Sequence, residues 1–328
     1  MSSHEPPLPA PVPVAVANVL VEFHSPGRLL PWIGPALRGI VCRRFRERHC
    51  RLPLADQLGR WRHCRGCPHM VDCAYGRTFE PDEQVHAAST AECARGDSSR
   101  DVPRTVVIAP AFPAPVRATR GMRLPVEVVL VGANAIACGD EITMVLSEAG
   151  REGVLGTDRI GFSVIPPEGD PMRLSIDVAG LPGAKSGPGG RVSRLRLELT
   201  SPLFLRDRDS AGRPQPCRAP TFHRLARAAV DTLAALAFAN GRPVAFNTRD
   251  VVAMARDVRT VEQEWRMFDQ EKHSNRTRMR FDVRGVTGEA VFADVPRALI
   301  PWLALAGQLH VGGHRVAGAG GWRIDVRA

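Results

Sequence analysis

The sequence predicts an α+β protein made of two tandem ferredoxin-like (RRM-like, βαββαβ) domains. Three observations lead there. The chain has 328 residues, enough for two ordinary domains and too many for one compact core. Strand-like and helix-like stretches follow one another as β-α-β-β-α-β in each half. The ends of the halves also overlay: VEVVLVG, a helix around Ile142–Leu146 and GFSVI correspond to GEAVF, Pro296–Leu305 and GWRIDV.

Taken in order, residues 1–13 are Pro-rich and read as a flexible arm. Val14–Phe23 is β-rich and opens the first domain, residues 14–165. A His24-Ser-Pro-Gly turn leads to Leu29–Phe45, whose apolar residues recur at helical spacing. An insert spans 42–101: Cys50–Glu83 is irregular and Cys-containing, and Ala87–Asp101 is a polar loop. Thr105–Phe112 and Leu124–Val131 read as strands, Asp140–Ala149 as a helix and Ile160–Ile165 as a strand. Residues 166–190 are rich in Gly and Pro and read as a linker or loop. The second domain, 191–328, then offers a strand at Ser193–Leu205 and a helix at Thr221–Asn240. Met279–Val283 and Gly288–Phe292 form a hairpin pair in this reading. A helix at Pro296–Leu305, a glycine-rich loop at 307–321 and a strand at Trp322–Val326 close it.

Composition narrows the function. Apolar residues at 44% and charged residues at 24% fit a folded protein. No run approaches the 18 or so apolar residues of a membrane helix, and the N-terminus lacks a basic and then apolar signal segment. A cytoplasmic protein with no membrane partner is expected. The formal charge is +10, and only Lys185 and Lys272 among the 44 cations are not arginine. Arginine forks onto phosphate and stacks on bases, which favours a polyanionic partner. A GC-rich genome would produce the same bias toward Arg, Ala, Gly and Pro.

Three constellations carry possible chemistry. Cys42, Cys64-Arg-Gly-Cys67 and Cys73 have spacing that suits a structural zinc, with His49, Cys50, His63 and His69 as spare ligands. Reduced structural cysteines are the competing reading. The run Gly307–Trp322 follows a helix into a strand and lacks Gly-Lys-Ser/Thr, so it is neither a dinucleotide nor a triphosphate loop. Its Gly312, Gly313, Gly318 and Gly320, with Arg315, suit a loop that hugs an RNA backbone; a tight connection is the alternative. In Glu271–Arg280, the cations Lys272, Arg276, Arg278 and Arg280 alternate, which on one strand gives one basic face. The Arg117, Arg120 and Arg123 link adds a second basic stretch.

Four stretches together resemble the CRISPR precursor-RNA processing endoribonucleases of the RAMP superfamily. They are Pro35–Cys42 with CRGCPHMVDCAYGRTFEP, Pro220–Arg227 running to Asn240-Gly-Arg242, HSNRTRMRFDVRGVTGEAVF, and Gly307–Arg323. The resemblance implies a tandem ferredoxin-like fold and metal-independent cutting of CRISPR repeat RNA. It also implies that the mature crRNA stays bound within a class 1 effector complex. The helix after Arg227 is poorer in basic residues than in relatives, and Tyr75 is the single tyrosine. Those departures point to an outlying branch such as the type IV systems.

Cutting RNA without a metal uses its own 2′-hydroxyl as nucleophile, leaving a 2′,3′-cyclic phosphate. The site must align that oxygen, accept its proton and stabilise the charged phosphorane. His24 follows the first strand, where the family often places its general base, and is the first candidate. Arg28 and Arg38 are placed to hold the phosphate; His273 with Arg276 forms a second cluster, and Arg242 is a third candidate. His223 and His310 read as structural. The alternative function is a non-catalytic RAMP-type subunit that grips RNA without cutting it, with a zinc-stapled nucleic-acid-binding protein outside CRISPR systems as a third class.

Overall fold

The computed structural model describes residues 11–53, 56–57, 64, 66–70, 72–81, 103–156, 158–166, 171–176, 190–242, 247–274 and 279–327. In the first domain, β1 (Val12–Phe23) and the short β2 (Gly27–Arg28) precede α1 (Gly34–His49) and α2 (Ala74–Phe79). Next come β3 (Val106–Pro110), β4 (Arg117–Ala118), β5 (Arg123–Val131), α3 (Ala133–Ala137), α4 (Gly139–Arg151), β6 (Phe162–Ile165) and β7 (Met172–Ile176). The main sheet runs β3-β5-β1-β6, all antiparallel, the ferredoxin-like order.

The second domain holds β8 (Arg191–Leu199), β9 (Arg206–Arg208), β10 (Pro214–Pro216), α5 (Phe222–Ala239) and α6 (Thr248–Ala253). These are followed by β11 (Arg259–Ser274), β12 (Met279–Pro296), a 3₁₀ turn at Arg297–Leu299, α7 (Ile300–Leu309), a second 3₁₀ turn at Arg315–Ala317 and β13 (Trp322–Arg327). Its sheet, β11-β12-β8-β13, repeats the same order. Both halves are therefore ferredoxin-like, as the sequence predicts.

Strand period explains how the halves join. Side chains alternate across a strand. On β1, Ala15, Val19, Val21 and Phe23 pack under the first domain's own helices. Val12, Val14 and Val16 face the other way, into a core shared with Leu225, Ala229 and Leu233 of α5. Neighbouring β3 and β5 split likewise: Ile108 and Val128 on one side, Val107 and Val129 on the other. The first sheet is thus buried on both faces, and the second domain supplies the cover.

Several boundaries differ from expectation. Residue 12 already pairs in β1, so the arm ends before 13. Helix α1 starts at Gly34, not Leu29, because Gly27–Arg28 pairs with Arg117–Ala118 and Pro35 occupies the first turn, where its missing N–H costs nothing. The insert is not wholly irregular: Cys73 caps the short α2, accepting from the Gly76 N–H at 3.5 Å. Within 166–190, Met172–Ile176 pairs with Val12–Val16 and extends the first sheet past the point where β6 leaves it. The polar loop 87–101 lies outside the described residues.

The largest difference is in the second domain. Met279–Val283 and Gly288–Phe292 are not a hairpin; they belong to one strand, β12, whose partner is β11. β11 reads RTVEQEWRMFDQEKHS and carries no apolar alternation. Only residues from Glu289 onward in β12 also pair with β8. The remainder pairs with β11, apart from one bridge between Val286 and Leu203, and extends as a ribbon roughly 30 Å long at about 3.3 Å per residue.

Candidate functional site

The end of β1 forms the first locus. The Gly121 N–H donates to the Phe23 carbonyl at 2.8 Å and the Leu29 N–H to the Val116 carbonyl at 2.9 Å. These bonds lay 23–29 antiparallel to 116–122 and put Arg28 opposite Arg117. His24, Arg28, Arg117, Arg120 and Arg123 are all exposed along this ribbon. The His24 N–H is held by the Gly161 carbonyl at 2.8 Å, and its Nε2 lies 3.1 Å from Ser163 Oγ. The Arg28 backbone N–H donates to Asp158 Oδ2 at 2.7 Å, fixing the backbone while the guanidinium projects outward. Arg123 is engaged: its Nε donates to Glu22 at 2.8 Å. The proposed base and the basic link therefore share one surface, although 93 to 99 positions separate them in sequence.

The second locus is the joint between domains. Gln270 of β11 brackets the Trp32 backbone, its Oε1 accepting from the Trp32 N–H at 3.1 Å and its Nε2 donating to the Trp32 carbonyl at 2.9 Å. The Trp32 indole N–H donates to the Ala317 carbonyl at 3.0 Å. Around it stand Phe204 at 5.2 Å, Phe268 at 6.4 Å and His314 at 5.8 Å between ring centroids. His314 is half-buried, adopts a left-handed backbone and follows the exposed Gly312 and Gly313.

The glycine-rich loop divides at this point. Gly312 and Gly313 face solvent, as an RNA-hugging loop requires. Arg315, Gly318 and Gly320 do not; they are buried. Arg315 donates to the Leu309 carbonyl at 3.0 Å and to the Arg104 carbonyl. Burial, with the Arg104 cation nearby, pulls its pKa down to about 10. The reason is tertiary: a Cβ on Gly318 would lie 2.4 Å from Ala109 Cα, so the loop packs against β3 of the first domain. These three positions form the joint and are not an RNA surface.

The remaining expectations separate. Arg38 is half-buried on α1, whose first turn packs against the Arg315–Ala317 turn. Arg242 lines a cleft with Pro11, Val12 and Pro13, at the start of β1. His24 follows its end, so the length of β1, roughly 36 Å, removes Arg242 from any site built on His24. Lys272 and His273 lie in β11, Arg280 in β12, and Arg276 and Arg278 fall outside the described residues. Among the described residues, β11 brings acids beside two cations of this stretch. Arg280 reaches Glu271 at 3.4 Å and Arg284 reaches Asp269 at 3.0 Å.

Tyr75 is buried and stacked on Phe79, and burial raises its pKa. His310 is buried between the Ala319 carbonyl, 3.2 Å from Nδ1, and Glu127, 3.6 Å from Nε2, in keeping with a structural role. None of the described cysteines is in a disulfide; Cys64, Cys67 and Cys73 are buried and Cys42 half-buried. Sequence reasoning missed Trp32, Gln270 and His314. Only His314 left a signal, as the histidine of a Gly-Gly-His-Arg run.

Comparison with known proteins fits this geometry. An N-terminal domain family model matches residues 12–168, and the model described as CRISPR-associated endoribonuclease Cas6 matches residues 197–322. No curated protein matches the sequence. Among solved structures, a Cas6 product complex aligns with a TM-score of 0.50 at 14% identity, covering 96% of this chain and 100% of that one. Thermus thermophilus Cas6 aligns with a TM-score of 0.50 at 13% identity, over 97% and 100%. A chain of a partial Cas6-RT-Cas1–Cas2 complex gives 0.54 at 12% identity, over 97% of this chain and 47% of its own. At such identities the likeness is one of fold. Within that fold, residues 197–322 are similar to the CRISPR-associated endoribonuclease Cas6 family.

Proposed function

We propose that the protein is an endoribonuclease that binds CRISPR repeat RNA and cuts it without a metal ion to give mature crRNA. The observation that carries this is the shared surface of His24 and the arginine ribbon, in a chain whose second domain matches the Cas6 endoribonuclease model.

In this reading Arg28, Arg117 and Arg120 hold phosphates of the RNA backbone through charge-assisted hydrogen bonds. His24 accepts the 2′-hydroxyl proton. The 2′-oxygen then attacks phosphorus, the bond to the 5′-oxygen breaks, and that oxygen takes a proton from solvent water. The products carry a 2′,3′-cyclic phosphate and a 5′-hydroxyl. The arginines stabilise the charged phosphorane, which is the larger part of the rate in a site poor in histidine. Gly312 and Gly313 offer close backbone approach, Arg38 a phosphate contact beside the joint, and Lys272, His273 and Arg280 an outlying RNA contact on the ribbon. The product remains bound, ready for the other subunits of a class 1 effector complex.

Burial of Tyr75 favours a second reading, a RAMP-type subunit that binds crRNA without cutting. One assay decides. Repeat RNA is incubated with the protein in EDTA, beside a copy carrying a 2′-deoxy at the cut site. Cutting of the first alone, with a cyclic-phosphate or 3′-phosphate end, is the expected result. Binding with no cutting of either establishes the second reading.

A further inference from the structure

Residues Cys50, Cys64, Cys67 and Cys73 come from three separate stretches of chain, yet all four line one small cavity. Cys50 is the C-cap of α1 and Cys73 the N-cap of α2. Cys64 and Cys67 flank Gly66, whose φ of +70° turns the chain back so that both thiols meet the same space. The Cys67 N–H donates to the Cys64 carbonyl at 2.9 Å, closing that turn.

Backbone and cationic groups stand beside the sulfurs. The Gly76 N–H points at Cys73 Sγ from 3.5 Å, the kind of backbone support that outer shells give metal-bound sulfur. Arg46 and Arg51 also line the cavity, so a dianionic tetrathiolate has cations beside it. From these placements we infer that Cys50, Cys64, Cys67 and Cys73 are the four ligands of a structural zinc ion that fastens the end of α1 to the start of α2.

Cys42, chosen from spacing alone, drops out. It lies eight residues before Cys50 on α1, about 12 Å along the axis at 1.5 Å per residue. Zinc–sulfur bonds are about 2.3 Å, so one ion does not reach both. His69 lines the cavity but is not needed to complete four ligands; the His49 ring is occupied with Glu141 at 2.7 Å, and His63 lies outside the described residues. The cavity holds about 10 Å³, about the space of one water-sized sphere.

Among the described residues no three such side chains close around one point. The sulfurs stand on the cavity wall as thiols, and binding moves them inward. Each thiol releases its proton to solvent, giving Zn(SR)₄²⁻ from four thiols and one Zn²⁺.

The test uses the full, untagged chain and does not depend on RNA cutting. Elemental analysis is expected to find one zinc per chain in the wild type and in Cys42→Ser and His69→Ala, and none in Cys50→Ser or Cys67→Ser. To separate ligand loss from unfolding of the latter variants, wild-type protein stripped by chelator is also titrated with Co²⁺ under reducing conditions. One equivalent is expected to give the visible and ultraviolet bands of tetrahedral tetrathiolate cobalt. Loss of metal in Cys42→Ser with retention in Cys50→Ser overturns the ligand set. Iron in place of zinc, a Cys64–Cys67 disulfide in the purified protein, or no cobalt uptake overturns the site itself.

Discussion

Among single residues, His24 and its arginine neighbours carry the chemistry proposed. His24→Ala is expected to slow single-turnover cutting by about 10²–10⁴-fold, the usual worth of a positioned base, with repeat-RNA affinity unchanged. Equal rates for wild type and variant would remove His24 from the mechanism. Arg117→Ala and Arg120→Ala act differently, since each removes one phosphate contact. Each lowers the slope of log affinity against log salt by roughly 0.7–0.9, read by titrating binding at several salt concentrations. Arg123→Ala changes that slope less, because Glu22 already holds its charge at 2.8 Å.

At the level of elements, the β11–β12 ribbon is hydrogen-bonded to the first domain through Gln270 and packed on it through Phe268. Gln270 makes both its hydrogen bonds to the Trp32 backbone in a buried setting. Gln270→Ala leaves a buried N–H and carbonyl unpaired, which costs about 1–3 kcal/mol each when water does not replace the partner. Faster hydrogen exchange at Trp32 and around Phe268, with the β8–β13 pairing unaffected, is the expected readout. The exposed part of helix α5 carries a pH effect. Desolvation, then the cations Arg256, Arg227 and Arg224, hold the His223 pKa below its ordinary 6.5. The unfolded chain therefore takes up a proton first as pH falls. Stability is lost below pH 6.5 until the folded imidazole also protonates, and His223→Gln removes this part of the acid sensitivity in denaturant titrations.

In the whole molecule, the two domains share one apolar core, so they are expected to melt as one unit. Gly318→Ala probes that coupling. A Cβ there lies 2.4 Å from Ala109 Cα, and the φ of +75° disfavours any side chain. Separate thermal transitions for the two halves, or a clear fall in the midpoint of a single one, is the expected outcome in calorimetry. Arg315→Ala tests the same joint electrostatically. Two charge-assisted hydrogen bonds are lost, each worth about 1.5–3 kcal/mol, while the cost of burying the guanidinium is recovered, so net destabilisation of roughly 2 kcal/mol is expected.

The sequence by itself determined the two βαββαβ halves, because β1, β3, β5 and β8 bury apolar side chains and the helices α4 and α5 are amphipathic. It also determined His24 and the basic link as surface groups, and the cysteines as a cluster. What it concealed has a common cause. β11 is exposed along most of its length and so leaves no alternating pattern to read. Its acids then neutralise part of the face that looked basic in one dimension. Arg315, Gly318 and Gly320 appear as ligand-binding residues in sequence, yet the packing of one domain against the other buries them. Cys42 and Cys50 are equivalent in composition and differ only in where a helix of fixed rise leaves them. Tertiary structure decided these points because burial, charge pairing and ligand reach depend on which segments meet, and local pattern carries no information about that.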